Sequence, residues 1–239
     1  KESELSFPQV FGLVAKAYSE KYGDPSTAMA RIAEKNHRNA LRNPLAQMRR
    51  EVTFDFCNEV SEKNPLIASP LRLTDCSLIT DGAAAVVLTA DENVAAFKRS
   101  VRFRSAEHVS DYLPMSRRDL LEFEGPRLAI ARALNAAGIA IGNVDFAEVH
   151  DCFTIAELLI YEALGIAPKG RGIEALHAGT VYRDGKLPVN LSGGLKAKGH
   201  PVGATGVSMH AIAFRQLTGG AGDMQLDGAS LGLVFNMGG

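Results

Sequence analysis

Apolar residues recur at helical spacing between Pro8 and Tyr22, through Val10, Phe11, Val14, Ala15 and Tyr18, until the turn residues Gly23-Asp24-Pro25-Ser26 interrupt them. Ser26 is then placed to cap a second helix that turns Ala28, Ile32, Ala33 and Ala40 inward. Its remaining charged positions, Arg31, Glu34, Lys35, Arg38 and Arg42, read as a solvated face. Between Asn43 and Thr80 the periodicity breaks, and Asn43-Pro44, Asn64-Pro65 and Ser69-Pro70 punctuate a loop-like stretch. Irregular chain of that length carries function or packs on a neighbour.

From Asp81-Gly82 the pattern changes. Ala83 to Thr89 is a continuous apolar run of strand length, as expected for a strand buried on both faces, and Val101 to Ala106 reads as another strand. Gly125-Pro126 opens a helix to Ala137 that Gly138 caps, Val144 to Val149 reads as a strand, and Thr154 to Leu164 as a helix stopped by Gly165. Pro188 to Leu191 is a short strand, Val202 to Leu217 a helix, and Ala229 to Phe235 the closing strand. This alternation predicts a layered α/β domain with its sheet covered on both sides. No repeat of solenoid length interrupts it.

Composition narrows the class. A chain of 239 residues that is 46% hydrophobic can bury the core of one or two domains. Lys+Arg 26 against Asp+Glu 27 gives a formal net charge of -1, which offers no argument for nucleic acid or an anionic membrane as main partner. Cys57, Cys76 and Cys152 are odd in number, far apart and in no CxxC pairing, so they suggest a reducing compartment rather than a disulfide framework or a structural zinc site. No apolar run approaches a membrane span, and Lys1-Glu2-Ser3-Glu4 lacks the layout of a signal peptide, so the expected location is the cytoplasm or a similar lumen. Lys1 in place of Met, and an apolar run that ends at Gly239, read as the ends of a fragment.

In layered α/β sheets, ligands collect where strand ends lead into helix starts. Two loops qualify. In His150-Asp151-Cys152-Phe153, residues two apart on extended chain point to the same side, which would present an imidazole and a thiol together. The plain alternative makes Cys152 a small buried hydrophobe and His150 hydrogen-bonded framework. In Gly193 to Gly206, Pro201 excludes His200 from a helix interior and fits the first turn of a helix beginning there, so His200 is expected at a helix mouth, where free N–H groups suit an anion. The alternatives are an incidental histidine in a glycine turn or a general phosphate loop. The stretch has neither the Walker order nor GxGxxG after a strand, which sets nucleotide binding below catalysis. Lys196 and Lys198 either meet a phosphate or face solvent. Cys57 and Cys76 read as packing residues, His37 and His108 as surface residues, His177 as a loop residue, and His210 as packed on the sheet. No spacing of histidines and carboxylates suggests a metal site.

The loop from Gly193 to Gly206 resembles the GHP loop of thiolases, and His150-Asp151-Cys152-Phe153 resembles the HDCF motif of the sterol-carrier-protein type, where most other thiolases carry asparagine-glutamate-alanine-phenylalanine. Pro70 to Ser77 followed by Thr80 to Ala85 is similar to the family's return from its loop domain, and Gly232 to Gly239 to its last glycine turn. The resemblance implies the thiolase fold: a layered α/β/α C-terminal half plus an inserted loop domain, with the N-terminal half largely absent. It divides the chain into a loop domain at 1–80, a returning strand and linker at 81–94, and the C-terminal half at 95–239. It also implies that the nucleophilic cysteine lies outside this chain, which alone would not complete the reaction.

Carried over by motif, His200 is the base for that cysteine and an oxyanion donor, with Gly199 and Pro201 shaping its loop. His150 supports the same oxyanion hole, and Cys152 is the proton-transferring acid/base. In other thiolases a cysteine of the final turn does that work. Here Asn236 holds its place, and the backbone near Gly238 belongs to the second hole. The implied activity is acyl transfer on 3-ketoacyl-CoA in lipid or sterol side-chain metabolism, with coenzyme A as substrate and no cofactor or metal. The implied assembly is a homodimer or homotetramer, cytoplasmic, or peroxisomal in a eukaryote. A thiolase-fold aldolase-like lyase and a non-catalytic partner subunit are the competing readings.

Overall fold

The computed structural model describes residues 4–111 and 117–238; Lys1 to Ser3 and Gly239 of the closing turn lie outside it. Helix α1 runs Phe7–Tyr22, with Pro8 in its first turn and the Ser6 N–H donating to Gln9 Oε1 at 2.8 Å. Helix α2 runs Ser26–Ala40. Ser26 lies inside that helix rather than capping it. The capping acceptor is Asp24, whose Oδ1 takes the Ser26 N–H at 2.9 Å and the Ser26 hydroxyl at 2.6 Å.

The stretch from Asn43 to Thr80 is more ordered than its prolines suggest. It holds a short helix α3 at Phe54–Asn58, whose first turn is capped by the Thr53 hydroxyl, and an antiparallel pair of β1 (Leu66–Ala68) with β2 (Leu71–Arg72). Helix α4 spans Glu124–Ala137 and ends on Gly138 at φ 65°, the left-handed conformation in which glycine costs least.

Strand β3 (Phe146–Val149) pairs in parallel with β4 (Gly232–Phe235), and Ala147 forms one parallel bridge to Val189 on its other edge. The strand expected from Pro188 to Leu191 is therefore a single bridge. Helix α5 (Thr154–Ala163) follows β3 and is buried on every face from Thr154 to Tyr161, because α1, α2 and α4 all pack against it. Short helices α6 (Ile173–His177) and α7 (Gly194–Ala197) precede α8, Thr205–Leu217. The main core gathers Val14, Tyr18, Met29 and Ile32 of the first two helices around α5 and the inner face of β3. Among the described residues, no helix is long and apolar enough to cross a membrane.

Two expected strands do not form. Ala83–Thr89 and Val101–Ala106 are extended but exposed, with Val87 at 80% and Leu88 at 74%. A buried strand needs paired strands on both edges, and among the described residues no strand or bridge pairs with these segments. The sheet is correspondingly narrow.

Lys35, read as part of a solvated face, is internal, and so are Lys196 and Lys198. Lys35 is 1% exposed, and Lys196 and Lys198 are buried with their amines on the Cys76 carbonyl (2.7 Å) and the Ser208 hydroxyl (2.8 Å). Neither of the latter two faces solvent, and both amines already have protein partners. His37, expected on the surface, is 2% exposed, and its Nδ1 has no partner among the described residues. His210 lies in α8 with its ring 5.8 Å from that of Phe103 rather than on the sheet.

Burial, reinforced by the nearby Lys196 charge, pushes the His37 imidazole down to about 3. The unfolded chain takes up that proton near 6.5 and the folded one only near 3, so stability is complete above the unfolded value and falls as pH drops between the two. The slope from this residue is at most about 1.4 kcal/mol per pH unit. Urea unfolding of His37→Gln between about pH 6 and 4 is expected to lose that part of the slope; equal slopes in parent and variant would contradict it.

Candidate active site

The site is made by two strand ends. Because β3 and β4 pair in register at Val149 and Phe235, the next residue of each chain, His150 and Asn236, emerges on the same rim. His150 Nδ1 meets Asn236 Oδ1 at 2.9 Å. An amide oxygen accepts only, so Nδ1 carries the proton and the neutral ring keeps a free lone pair on Nε2. Beyond His150 the chain does not stay extended. The Asp151 N–H folds back on the Val149 carbonyl at 3.1 Å, so the alternation expected to put His150 and Cys152 on one side stops here. Among the described residues, no hydrogen bond joins the Cys152 thiol to either imidazole.

His200 arrives from the other direction. Helix α7 ends with the Lys198 N–H on the Gly194 carbonyl, and Gly199, at φ 119°, turns the chain toward the strand ends. A side chain at Gly199 would also press on the Thr80 hydroxyl at 2.9 Å. Pro201 does not begin a helix; Pro201 to Ala204 form a turn, and α8 starts at Thr205. That shift brings the Thr205 hydroxyl back to His200 Nδ1 at 2.7 Å, while the same hydroxyl donates to the Pro201 carbonyl at 3.0 Å. With its proton so placed, Thr205 receives the Nδ1–H of His200 and leaves Nε2 as an acceptor. The two imidazoles stand edge to face, their centroids 5.1 Å apart at 88°.

A short tether holds the two loops together. Cys76 bridges Phe153, the Ser77 N–H donates to the Cys152 carbonyl at 2.9 Å, and Ile79 bridges His200. Beside it, Thr80 to Ala84 and Pro201 to Ala204 enclose an open cleft of about 450 Å³. Cys152 is 8% exposed, while Asn236 and Gly238, past β4, are exposed.

Electrostatics leaves the site uncharged. Burial pushes His200 down to about 4, helped by His150 and Lys198, and burial lowers His150 against the opposing hydrogen bond from Asn236. Burial and the adjacent Asp151 hold the Cys152 thiol far above its ordinary range. At neutral pH the set is two neutral imidazoles, each with an available lone pair, and a protonated thiol. It can accept and return protons.

Sequence reasoning passed over Asp151, Thr205 and the inner face of α2. The Asp151 carboxylate turns away from the imidazoles and accepts the Leu195 N–H at 2.6 Å, the Lys196 N–H at 3.1 Å and Asn36 Nδ2 at 2.8 Å. Helix α2 supplies further donors: Lys35 to the Val189 carbonyl (2.8 Å), Asn39 to that of Asn190 (3.0 Å) and, just past its end, Asn43 to that of Ser192 (2.8 Å). The signal was the run Asn36, Asn39, Asn43, spaced three and four apart along one helical face.

Narrow parallel strands, flanking helices and loops meeting at the strands' carboxyl ends define an α/β protein with two facing imidazoles at its rim. The chain belongs to the thiolase family: residues 106–239 match the family described as thiolase C-terminal domain-like. It is 38% identical over 237 residues to an acetyl-CoA acetyltransferase of Methanothermobacter thermautotrophicus, covering 98% of this chain and 61% of that protein. It is 36% identical to sterol carrier protein 2 of Oryctolagus cuniculus over 239 residues, covering 97% of this chain and 43% of that one. The chain thus spans about half the length of these relatives. Among solved structures, the Ltp2-ChsH2(DUF35) aldolase shares the fold with a TM-score of 0.82 at 22% identity, covering 97% of this chain and 61% of that one.

Proposed function

We propose that the full-length protein is a thiolase of the sterol-carrier-protein type, which cleaves or forms 3-ketoacyl-CoA thioesters with coenzyme A as co-substrate and no resident cofactor. The observation that carries this reading is the pair of imidazoles held 5.1 Å apart, His150 at the end of β3 and His200 from the loop after α7. Residues 1–80 act as the loop domain, 81–94 as a returning strand and linker, and 95–239 as the C-terminal half. The nucleophilic cysteine comes from outside this chain: burial pushes Cys57 and Cys76 up to about 11, and among the described residues neither thiol has a hydrogen bond to an imidazole. The assembly expected is a homodimer or homotetramer.

His200, neutral and with Nε2 free, takes the proton of that cysteine and then, charged, donates to the thioester oxygen. His150, fixed by Asn236, supports the same oxyanion. Cys152 moves the second proton, and burial with the adjacent Asp151 keeps it resting as the protonated thiol, the form that donates. The Gly238 amide serves the second oxyanion hole, where one donor is worth roughly 3 kcal/mol.

The test is CoA-dependent cleavage of a 3-ketoacyl-CoA by the full-length protein, with Cys152→Ala beside it. The variant is expected to lose about a hundredfold or more of kcat. Near-full activity in the variant would move the acid/base role elsewhere. Carbon–carbon cleavage without CoA would instead indicate a lyase, and no turnover a partner subunit. A full-length sequence without a cysteine at the start of the nucleophile helix would end the thiolase reading.

A further inference from the structure

The Asp151 carboxylate sits between the two residues expected to move protons, yet it points away from both. It is 1% exposed, and its three partners come from two other elements. Two are the backbone N–H groups of Leu195 and Lys196 in α7, the single helical turn that leads through Gly199 to His200. The third, Asn36 of α2, is itself fixed by Lys35 on its oxygen at 2.6 Å and by Glu157 on the same Nδ2 at 2.6 Å. The contact admits no slack. Gly194 has φ 60°, and a Cβ there would fall on the Asp151 carboxylate. His150 therefore precedes, and His200 follows, a junction in which a carboxylate, a helical turn and an asparagine interlock.

Hydrogen bonds from two backbone N–H groups to one buried carboxyl fix its position, while burial and the Glu157 charge raise that carboxyl to about 7. These bonds set the distance between the chain that carries His150 and the chain that carries His200. No other direct side-chain hydrogen bond between the His150 loop and α7 is present among the described residues. Among the described residues, the backbone hydrogen bonds and bridges that join the two loops run through the Cys76 to Ile79 tether.

We propose that Asp151 is a positioning residue of this site: it pins the turn before His200 to the loop of His150, while Asn36 of α2 holds the carboxylate in place and so makes the first 80 residues part of the catalytic alignment. The catalytic half of this statement rests on the thiolase reading; the alignment half does not. Both carboxyl oxygens of Asp151 are taken by the α7 amides and Asn36, and neither imidazole has it as a hydrogen-bond partner.

The test is Asp151→Asn in the full-length protein. Its amide keeps one acceptor but turns an NH₂ group toward a backbone N–H, so the turn before His200 must shift. Expected are a fall in kcat of tenfold or more with KM changed less than threefold, and a His200 titration midpoint, read from its ring proton by NMR, that moves from about 4 back toward the ordinary histidine value. Asn36→Ala, which leaves both amide bonds standing, is expected to move kcat and the midpoint the same way by a smaller amount, and it serves if Asp151→Asn does not fold. A purely structural Asp151 would lower the melting temperature while the folded variant keeps the parent's kcat and both histidine midpoints. That result overturns the proposal. If the parent cleaves no 3-ketoacyl-CoA, the thiolase reading fails, and the histidine midpoints still decide whether Asp151 aligns the pair.

Discussion

His200→Ala in the full-length protein is expected to lower kcat for 3-ketoacyl-CoA cleavage by about a thousandfold or more. Two losses combine. The variant has no group with a free Nε2 at the position that the Thr205 hydroxyl and the Ile79 bridge now define, so the nucleophile keeps its proton. It also lacks the imidazolium that would face the developing oxyanion, a donor worth roughly 10²- to 10³-fold by itself. Folding should be little disturbed, because the ring is only half-buried and its one hydrogen-bond partner is a hydroxyl that also bonds Pro201. The measurement is steady-state turnover together with a thermal melt. A folded His200→Ala protein within tenfold of parental kcat would remove His200 from the chemistry.

Lys35→Ala is expected to cost about 3–5 kcal/mol of stability, the scale for stripping one partner from a buried ion pair. Lys35 and Glu157 are 1% and 0% exposed and meet at 2.8 Å. The lysine amine also donates to Asn36 Oδ1 and the Val189 carbonyl, and Glu157 further accepts from Asn36, Asn190 and the Tyr161 hydroxyl. Removing the amine leaves a carboxylate in the centre of α5 with amide and phenol donors but no cation, and leaves the Val189 carbonyl without that donor. Replacing both charges, as Lys35→Met with Glu157→Gln, should cost less than the single change, because no uncompensated charge remains. Urea unfolding of the singles and the double checks this. Additive costs would show that the two charges do not act as a pair.

Elements whose signal is local were legible. The helices Phe7–Tyr22, Glu124–Ala137 and Thr154–Ala163 and the strand Phe146–Val149 fall within a few residues of the periodic pattern, because each needs only its own apolar spacing and a glycine stop. Ala83 to Thr89 shows the opposite case. Its composition suits a buried strand, but pairing depends on neighbours that composition does not contain. Helix α2 misled in a third way. Lys35 and Asn39 look like solvent-facing residues by hydropathy, yet they lie inward because the bare carbonyls of Val189 and Asn190 need donors, and Asn36 lies inward to serve the Asp151 and Glu157 carboxyls.

The site divided along the same line. His150, Cys152 and His200 could be picked out by residue type and loop context. Asp151 and Thr205 act through hydrogen bonds made across 44 and five positions of chain, and only the folded rim brings those partners together.

Gly82 packs on Pro201 so closely that a Cβ would lie 2.9 Å from the proline ring. Position 82 therefore admits only glycine without displacing the residue next to His200, so the exposed run of Ala83 to Thr89 leaves the rim through a point where sequence change is transmitted straight to the base.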